Sequence, residues 1–177
     1  MEYGVVCAVV KASSANTGNV TPDPWPGSRV ISAQKANTAN AFSNVNSSIS
    51  TAWLFPTVQD GNALYGLQFS NPVDPRVAYR GDPLAYGTAN DPVNGLKSGG
   101  VNVFGGGEVI GAIGVSGDIS CADHNVAWRT RSGLGKAFHA GLGKAGNFEQ
   151  ITYGKGGHPE CGVKGKAVAA TIGSSTN

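Results

Sequence analysis

Two pairs of residues in this chain have types and spacing that suit metal binding. Cys121 and His124 lie three positions apart, and so do His158 and Cys161. Thiolate and imidazole groups are preferred zinc ligands, and two such pairs can supply a tetrahedral set. The chain has three cysteines in all, so a disulfide between two of them, or simple burial of the thiols, fits the same residues. The pattern predicts one of these three arrangements.

A second candidate site lies on one face of a predicted helix. At 3.6 residues per turn, a single stripe contains Ile31, Lys35, Thr38, Phe42 and Val45. An ammonium group on an inward-facing stripe costs free energy unless it is paired. Lys35 therefore either extends to the surface, meets a carboxylate or contacts an anionic ligand. The structural alternative for Thr38 is a hydrogen bond back to its own helix.

A glycine-rich run over residues 99–118 alternates Val, Ile and Phe with glycine. Apolar residues of these types favour strands, whereas repeated glycine inside a strand marks a bend or a close approach by backbone or ligand. We therefore expect a hairpin over residues 99–117 that lines a ligand site. Its predicted contacts are Phe104, Gly106, Gly107 and Ser116, although Ser116 also suits backbone bonding at the following turn.

Two helices would position these groups. The first is predicted over Val30–Phe42, with Ser28 as its N-cap. The second is predicted over Cys121–Arg131, where Ser120-x-x-Asp123 has the pattern of a capping box. An acid in the first turn of that helix also complements the helix dipole.

The other segments have weaker signals. Val5–Val10 predicts a buried first strand, Ser50–Gly61 a short turn-like element, and Leu64–Phe69 a strand or a buried turn. Asn71–Lys97 is a long loop rich in Pro, Gly and Asp, which makes it a candidate lid or subunit contact. Residues 132–177 form a Gly- and Lys-rich C-terminal extension.

Composition limits the classes of function. A chain of 177 residues with 40% hydrophobic content suits a single domain. Only 14% of residues are charged and the net charge is +2, so we expect no nucleic-acid partner. No segment approaches the roughly 18–20 apolar residues of a membrane span. The acidic N-terminus does not suit a signal peptide, which predicts a cytoplasmic protein, or a secreted one whose leader has been removed.

Two of these segments resemble a known family. Gly27–Ser43 contains the pattern Lys-Ala-x-Thr-Ala-x-x-Phe at residues 35–42, and the glycine-rich run follows it in the chain. Both are similar to the haem-binding or haem-degrading family that includes the GlcG-like and HbpS-like proteins. Asp123 falls where the last helix of that family usually carries an acid. The resemblance covers roughly Val5–Arg131.

The resemblance implies an α/β (α+β) fold in which a profilin-like antiparallel sheet is flanked by helices. It implies a single domain over residues 1–177, with a core of about 5–131, a small-molecule ligand and assembly into a homo-oligomer. By this analogy haem would lie between helix 30–42 and the hairpin, with Thr38 as the iron contact and Lys35 beside a propionate.

An enzyme without a cofactor is the alternative function for the same pocket. It would act on a small organic substrate, with Lys35, Asp123 or His124 as acid–base groups. A neutral imidazole also suits axial ligation of haem, so His124 fits either function.

Overall fold

The computed structural model describes residues 8, 10, 27–44, 47–66, 100–105, 108–135, 147–162 and 164–176, which form a mixed α/β structure. The helices are α1 (Gly27–Ala41), α2 (Thr51–Leu54), α3 (Ser120–Gly133) and α4 (Gly165–Ile172), and a 3-10 turn spans Phe55–Val58. The strands are β1 (Ser48–Ile49), β2 (Gly100–Gly105), β3 (Glu108–Gly114) and β4 (Asn147–Phe148). Among the described helices, none combines the length and the apolar character needed to cross a bilayer.

The predicted glycine-rich hairpin is confirmed. Strands β2 and β3 pair in antiparallel register from Gly100 opposite Gly114 to Gly105 opposite Glu108. The register shifts between Val103 and Phe104, which is the kind of irregularity that bends a strand. Helix α1 packs on this hairpin.

The two longer helices are confirmed, but their predicted caps are wrong. Helix α1 begins at Gly27, so Ser28 is inside the helix and not at its N-cap. In α3 the N-cap is Ile119, Ser120 is the first helical residue, and no side-chain capping bond forms. The first N–H groups of a helix have no partner within the helix, so a helix can begin one or two residues away from a residue that suits the N-cap. Asp123 instead turns its carboxylate toward α1, as described below.

The C-terminal segment contributes to the described core. Strand β4 pairs in parallel with β1, and α4 packs against α3. A buried apolar cluster joins these parts of the chain through Ala52, Cys121, Ile151, Tyr153 and Ala169. The weak patterning of residues 132–177 in the sequence therefore conceals buried positions within 147–162 and 164–176.

Of the remaining predicted segments, one is confirmed, one is wrong at its described positions, and the others lie at least partly outside the described residues. Ser50–Gly61 forms α2, the 3-10 turn and further turns, as its turn-like composition predicts. Of Val5–Val10 only Ala8 and Val10 are described; both are exposed and neither is in a strand, so the buried strand is wrong at these positions. Apolar residues become buried only where another element covers them. Asn71–Lys97 and residues 67–69 lie outside the described residues.

Candidate functional site

Lys35 of α1 forms a buried ion pair with Asp123 of α3. The Lys35 Nζ lies 2.6 Å from Asp123 Oδ2 and also donates to the Val115 carbonyl oxygen at 2.8 Å. The Lys35 and Asp123 side chains are only 7% and 3% exposed. Of the three surroundings predicted for Lys35, the carboxylate partner is the one the structure contains. The pair joins α1, α3 and the chain that follows β3.

Opposing effects act on the carboxyl group of Asp123. Burial raises its pKa, because the charged form loses its hydration. The hydrogen bond and charge of Lys35 lower the pKa, as does the backbone N–H of Asp118, which donates to Asp123 Oδ1 at 3.1 Å. The net direction is upward, so burial outweighs the partners.

Thr38 lies one turn along α1 from Lys35, and its side chain is buried. Its hydroxyl donates to the Gln34 carbonyl oxygen at 2.8 Å, which is the structural alternative predicted from the sequence. Phe42 is half-buried farther along the same stripe, and Val45, its last predicted member, lies outside the described residues.

The structure describes only part of the predicted hairpin contacts. Ser116 is half-buried just beyond β3. Phe104 lies in β2, but its side chain falls outside the described residues, as do Gly106 and Gly107.

The glycine at the end of β3 faces the backbone of α1. A Cβ atom built on Gly114 would lie 1.8 Å from the Ser32 carbonyl oxygen and 2.7 Å from the Ala36 amide nitrogen. Ala36, Ala39 and Ala112 form a buried cluster farther along the same contact. Gly114 therefore allows close approach by the helix, and along this stretch α1 and β3 pack directly on each other.

His124 occupies a different environment from Lys35 and Asp123. Its Nε2 lies 3.2 Å from the Ser174 carbonyl oxygen, and the side chain is fully buried. Burial lowers the pKa of His124 to about 4, with smaller lowering effects from Arg131 and His158. Successive helix residues point about 100° apart, so Asp123 faces α1 while His124 faces the C-terminal segment. The three predicted acid–base residues therefore do not form one constellation.

The predicted four-ligand zinc site does not form. Cys121 and Cys161 are joined in a disulfide, which is the alternative the sequence left open. His158 lies beside them, with its Nδ1 3.4 Å from Cys121 Sγ and 3.8 Å from Cys161 Sγ. His124 points to Ser174 and is not part of this group. Cys121 and His124 both face the C-terminal segment, but they meet different parts of it: Cys121 meets Cys161, and His124 meets Ser174.

One buried polar cluster was missed by sequence reasoning. Arg131 of α3 forms an ion pair with Glu149 at 2.7 Å, and the Ser48 hydroxyl donates to the same carboxylate oxygen at 2.6 Å. All three side chains are almost fully buried. The available signal was the position of Arg131 seven residues after His124 and four after Ala127, which places it on the buried face of α3.

Around α3 the described residues thus form four separate groups: Lys35 with Asp123, His124 with the C-terminal segment, the disulfide with His158, and Arg131 with Glu149 and Ser48. No curated protein and no solved structure shows significant similarity to the chain. A family model described as haem degrading protein HbpS-like matches residues 1–132, which is about three quarters of the 177 residues. The chain therefore belongs to the HbpS-like family of haem-degrading proteins.

Proposed function

We propose that this chain binds haem, or a similar flat apolar ligand with acidic groups, through the Lys35 face of α1. The observation that carries the proposal is the family match over residues 1–132, which includes α1, the hairpin and nearly all of α3. Haem degradation, which the family description names, belongs to the same proposal, with the haem iron supplying the redox chemistry when bound.

The donor chemistry of α1 fits such a ligand. Lys35 offers an ammonium group to a propionate, and Phe42 offers a half-buried apolar ring. Thr38 carries the hydroxyl oxygen that the family resemblance assigns to the iron, and this hydroxyl donates to the Gln34 carbonyl oxygen. These are the residues that would hold the ligand.

The packing of α1 restricts where the ligand can lie. The helix contacts β3 directly at Gly114, and the alanine cluster continues this contact toward Ala39. A flat ligand therefore has no room between these surfaces. We place it toward the Phe42 end of α1.

The ion pair gives the proposal a sharp test. If a ligand carboxylate binds Lys35, then Asp123 competes for the same ammonium group. Hemin titration followed at the Soret band should show saturable binding by the wild type. Lys35→Met should weaken binding about tenfold or more, the equivalent of one charged hydrogen bond, and Asp123→Asn should strengthen it. Thr38→Val, which keeps the side-chain shape, should shift the Soret band.

Lys155→Met is the matched control, because Lys155 is an exposed lysine far from this face in sequence, and its removal should leave hemin affinity unchanged. Absence of a Soret change in the wild type would refute haem binding. Saturable binding that Lys35→Met and Asp123→Asn both leave unchanged would place the ligand elsewhere on the chain.

The family also supports a proposal about architecture and assembly. We infer that the hairpin belongs to a larger profilin-like antiparallel sheet flanked by helices in a single domain, and that copies of the chain form a homo-oligomer. Light scattering coupled to size-exclusion chromatography should give a mass that is a multiple of 18.0 kDa. A monomer at micromolar concentration would contradict the assembly.

A cofactor-independent enzyme is the second candidate, favoured by the buried Lys35–Asp123 pair. Burial raises the pKa of Asp123, which is the direction expected for a carboxyl group that acts as a general acid. Turnover of a small organic substrate by haem-free protein, lost in Asp123→Asn and retained in Lys155→Met, would support this function. Turnover only after hemin is added would support the haem proposal instead.

A further inference from the structure

We propose that Cys121, His158 and Cys161 form a redox-gated site for a thiophilic divalent cation such as Zn²⁺. The site is closed while the two sulfurs are bonded to each other and opens when a dithiol reduces them. This inference is independent of haem binding, since its three residues lie apart from the Lys35–Asp123 pair.

The distances from the His158 nitrogen to the two cysteine sulfurs already match those between ligand atoms of a metal site. One ligand atom from each residue lies within 4.8 Å of the other two. In a tetrahedral zinc site with bonds of about 2.0–2.3 Å, ligand atoms are separated by roughly 3.3–3.8 Å. The Nδ1 of His158 is 3.4 Å from one sulfur and 3.8 Å from the other. For a cation to fit, the sulfur–sulfur separation must open, and Nδ1 must exchange its bond to the Pro159 carbonyl oxygen for the cation.

Each ring nitrogen of His158 has a hydrogen-bond partner, and the bond at Nε2 can form in both redox states. Its Nδ1 lies 2.8 Å from the Pro159 carbonyl oxygen, which can only accept, so Nδ1 carries the proton in the disulfide form. Its Nε2 lies 3.0 Å from the Ser120 hydroxyl, which then donates. When Nδ1 binds a cation, the proton sits on Nε2 and the same hydroxyl accepts it. Ser120 is thus a positioning residue.

Cys121 and Cys161 differ in solvent exposure, which determines the sulfur that a reductant attacks first. Cys121 is fully buried, whereas Cys161 is partly exposed. A thiolate of the reducing dithiol attacks Cys161 Sγ, the disulfide breaks, and Cys121 leaves as a thiolate. The second thiol of the reductant then displaces Cys161 and forms the reductant's own disulfide, so two electrons and two protons reach the protein.

The surroundings favour thiolates once the disulfide is open. Cys121 is the second residue of α3, where first-turn amides stabilise negative charge. The backbone of Gly165, the first residue of α4, packs on both cysteines, since a Cβ there would lie 3.7 and 3.9 Å from their Cβ atoms. Binding of one divalent cation to the two thiols releases two protons. Three protein ligands leave one position open, the arrangement found in catalytic zinc sites.

The test compares oxidised and reduced full-length protein carrying Cys7→Ser, so that no other thiol is present. A phosphine reduces the protein and is removed under anaerobic conditions before titration. We expect one equivalent of Zn²⁺ per reduced chain, measured by competition with a chromophoric chelator, and at least about 100-fold weaker binding to the oxidised chain. Co²⁺ as a second probe should give thiolate-to-cobalt charge-transfer bands in the reduced chain only.

Two variants report on the imidazole. His158→Ala should lower Zn²⁺ affinity by about 100-fold or more, and Ser120→Ala by roughly tenfold, as for other groups that orient a ligand. Thermal unfolding keeps the test decisive if reduction loosens the fold: Zn²⁺ should raise the Tm of the reduced chain and leave that of the oxidised chain unchanged. Equal affinity in both redox states, no binding after reduction, or affinity unaffected by both variants would overturn the proposal.

Discussion

Removal of the Lys35 ammonium should destabilise the fold strongly and in a pH-dependent way. The 2.6 Å contact with Asp123 joins two side chains that are 7% and 3% exposed. Lys35→Met would leave the carboxylate buried without its cation, and breaking one partner of such a pair costs about 3–5 kcal/mol. We expect the free energy of unfolding to fall by about 3–4 kcal/mol at pH 8.

The pH dependence follows from the direction of the Asp123 shift. Burial already raises the folded-state pKa of this carboxyl above its unfolded value, and Lys35 is the main group lowering it. Loss of Lys35 raises that pKa further, so the folded variant binds a proton that the unfolded chain lacks. Stability of the variant therefore falls as pH rises from the unfolded pKa to the folded one, by up to about 1.4 kcal/mol per pH unit.

Urea unfolding at pH 5 and pH 8 measures both effects. The loss caused by Lys35→Met should be smaller at pH 5, where Asp123 can protonate. Lys35→Met combined with Asp123→Asn should recover more than half of the loss at pH 8, because no charge remains buried and the amide oxygen still accepts from Asp118. Lys155→Met, at an exposed lysine, should lower the free energy of unfolding by less than about 1 kcal/mol. An equally small loss for Lys35→Met at pH 8 would contradict the prediction.

Three further predictions concern packing, titration and the disulfide. Gly114→Ala should lower the free energy of unfolding by about 3 kcal/mol, because its Cβ meets the Ser32 carbonyl, whereas Gly133→Ala has open space and should be near neutral in the same denaturation assay. Burial lowers the pKa of His124 from 6.5 to about 4, so between these pH values the unfolded chain binds a proton that the folded chain does not. The free energy of unfolding should therefore fall by about 3 kcal/mol from pH 6.5 to pH 4, as measured by urea titrations. His124→Gln should remove most of this pH dependence. Cys161→Ser removes the disulfide, which closes a loop over a sequence separation of 40 residues, and should lower the free energy of unfolding by about 4 kcal/mol. An unchanged midpoint in chemical denaturation would contradict this chain-entropy estimate.

Local patterns predicted the main elements well but not the partners of their side chains. Helical periodicity gave α1 and α3, and the glycine-rich alternation gave the hairpin. The burial of Lys35 also followed from its stripe, and a carboxylate was among the expected partners. The particular carboxylate lies 88 residues away, and it is selected by the tertiary arrangement, in which α1 and α3 both pack on the hairpin.

The errors have identifiable physical causes. Gly114 is not among them, because a close approach by backbone or ligand was predicted and the backbone of α1 is what approaches it. The Cys–His spacing was equally compatible with a metal or a disulfide, because spacing along a helix does not determine which residue of a distant segment each side chain meets. Glu149 lies in a segment with no periodic pattern, so nothing in the sequence around Glu149 predicted its buried ion pair with Arg131.

The geometry of helix α3 separates the two proposed sites. Consecutive residues turn by about 100°, so Asp123 faces α1 while Cys121 and His124 face the C-terminal segment. The family match ends at residue 132, within the last turn of this helix. The Lys35–Asp123 contact therefore lies wholly inside the matched region, whereas the disulfide needs Cys161 from beyond it. A failed hemin titration would leave the redox-gated cation site standing, and a reduced chain that ignores Zn²⁺ would leave haem binding standing.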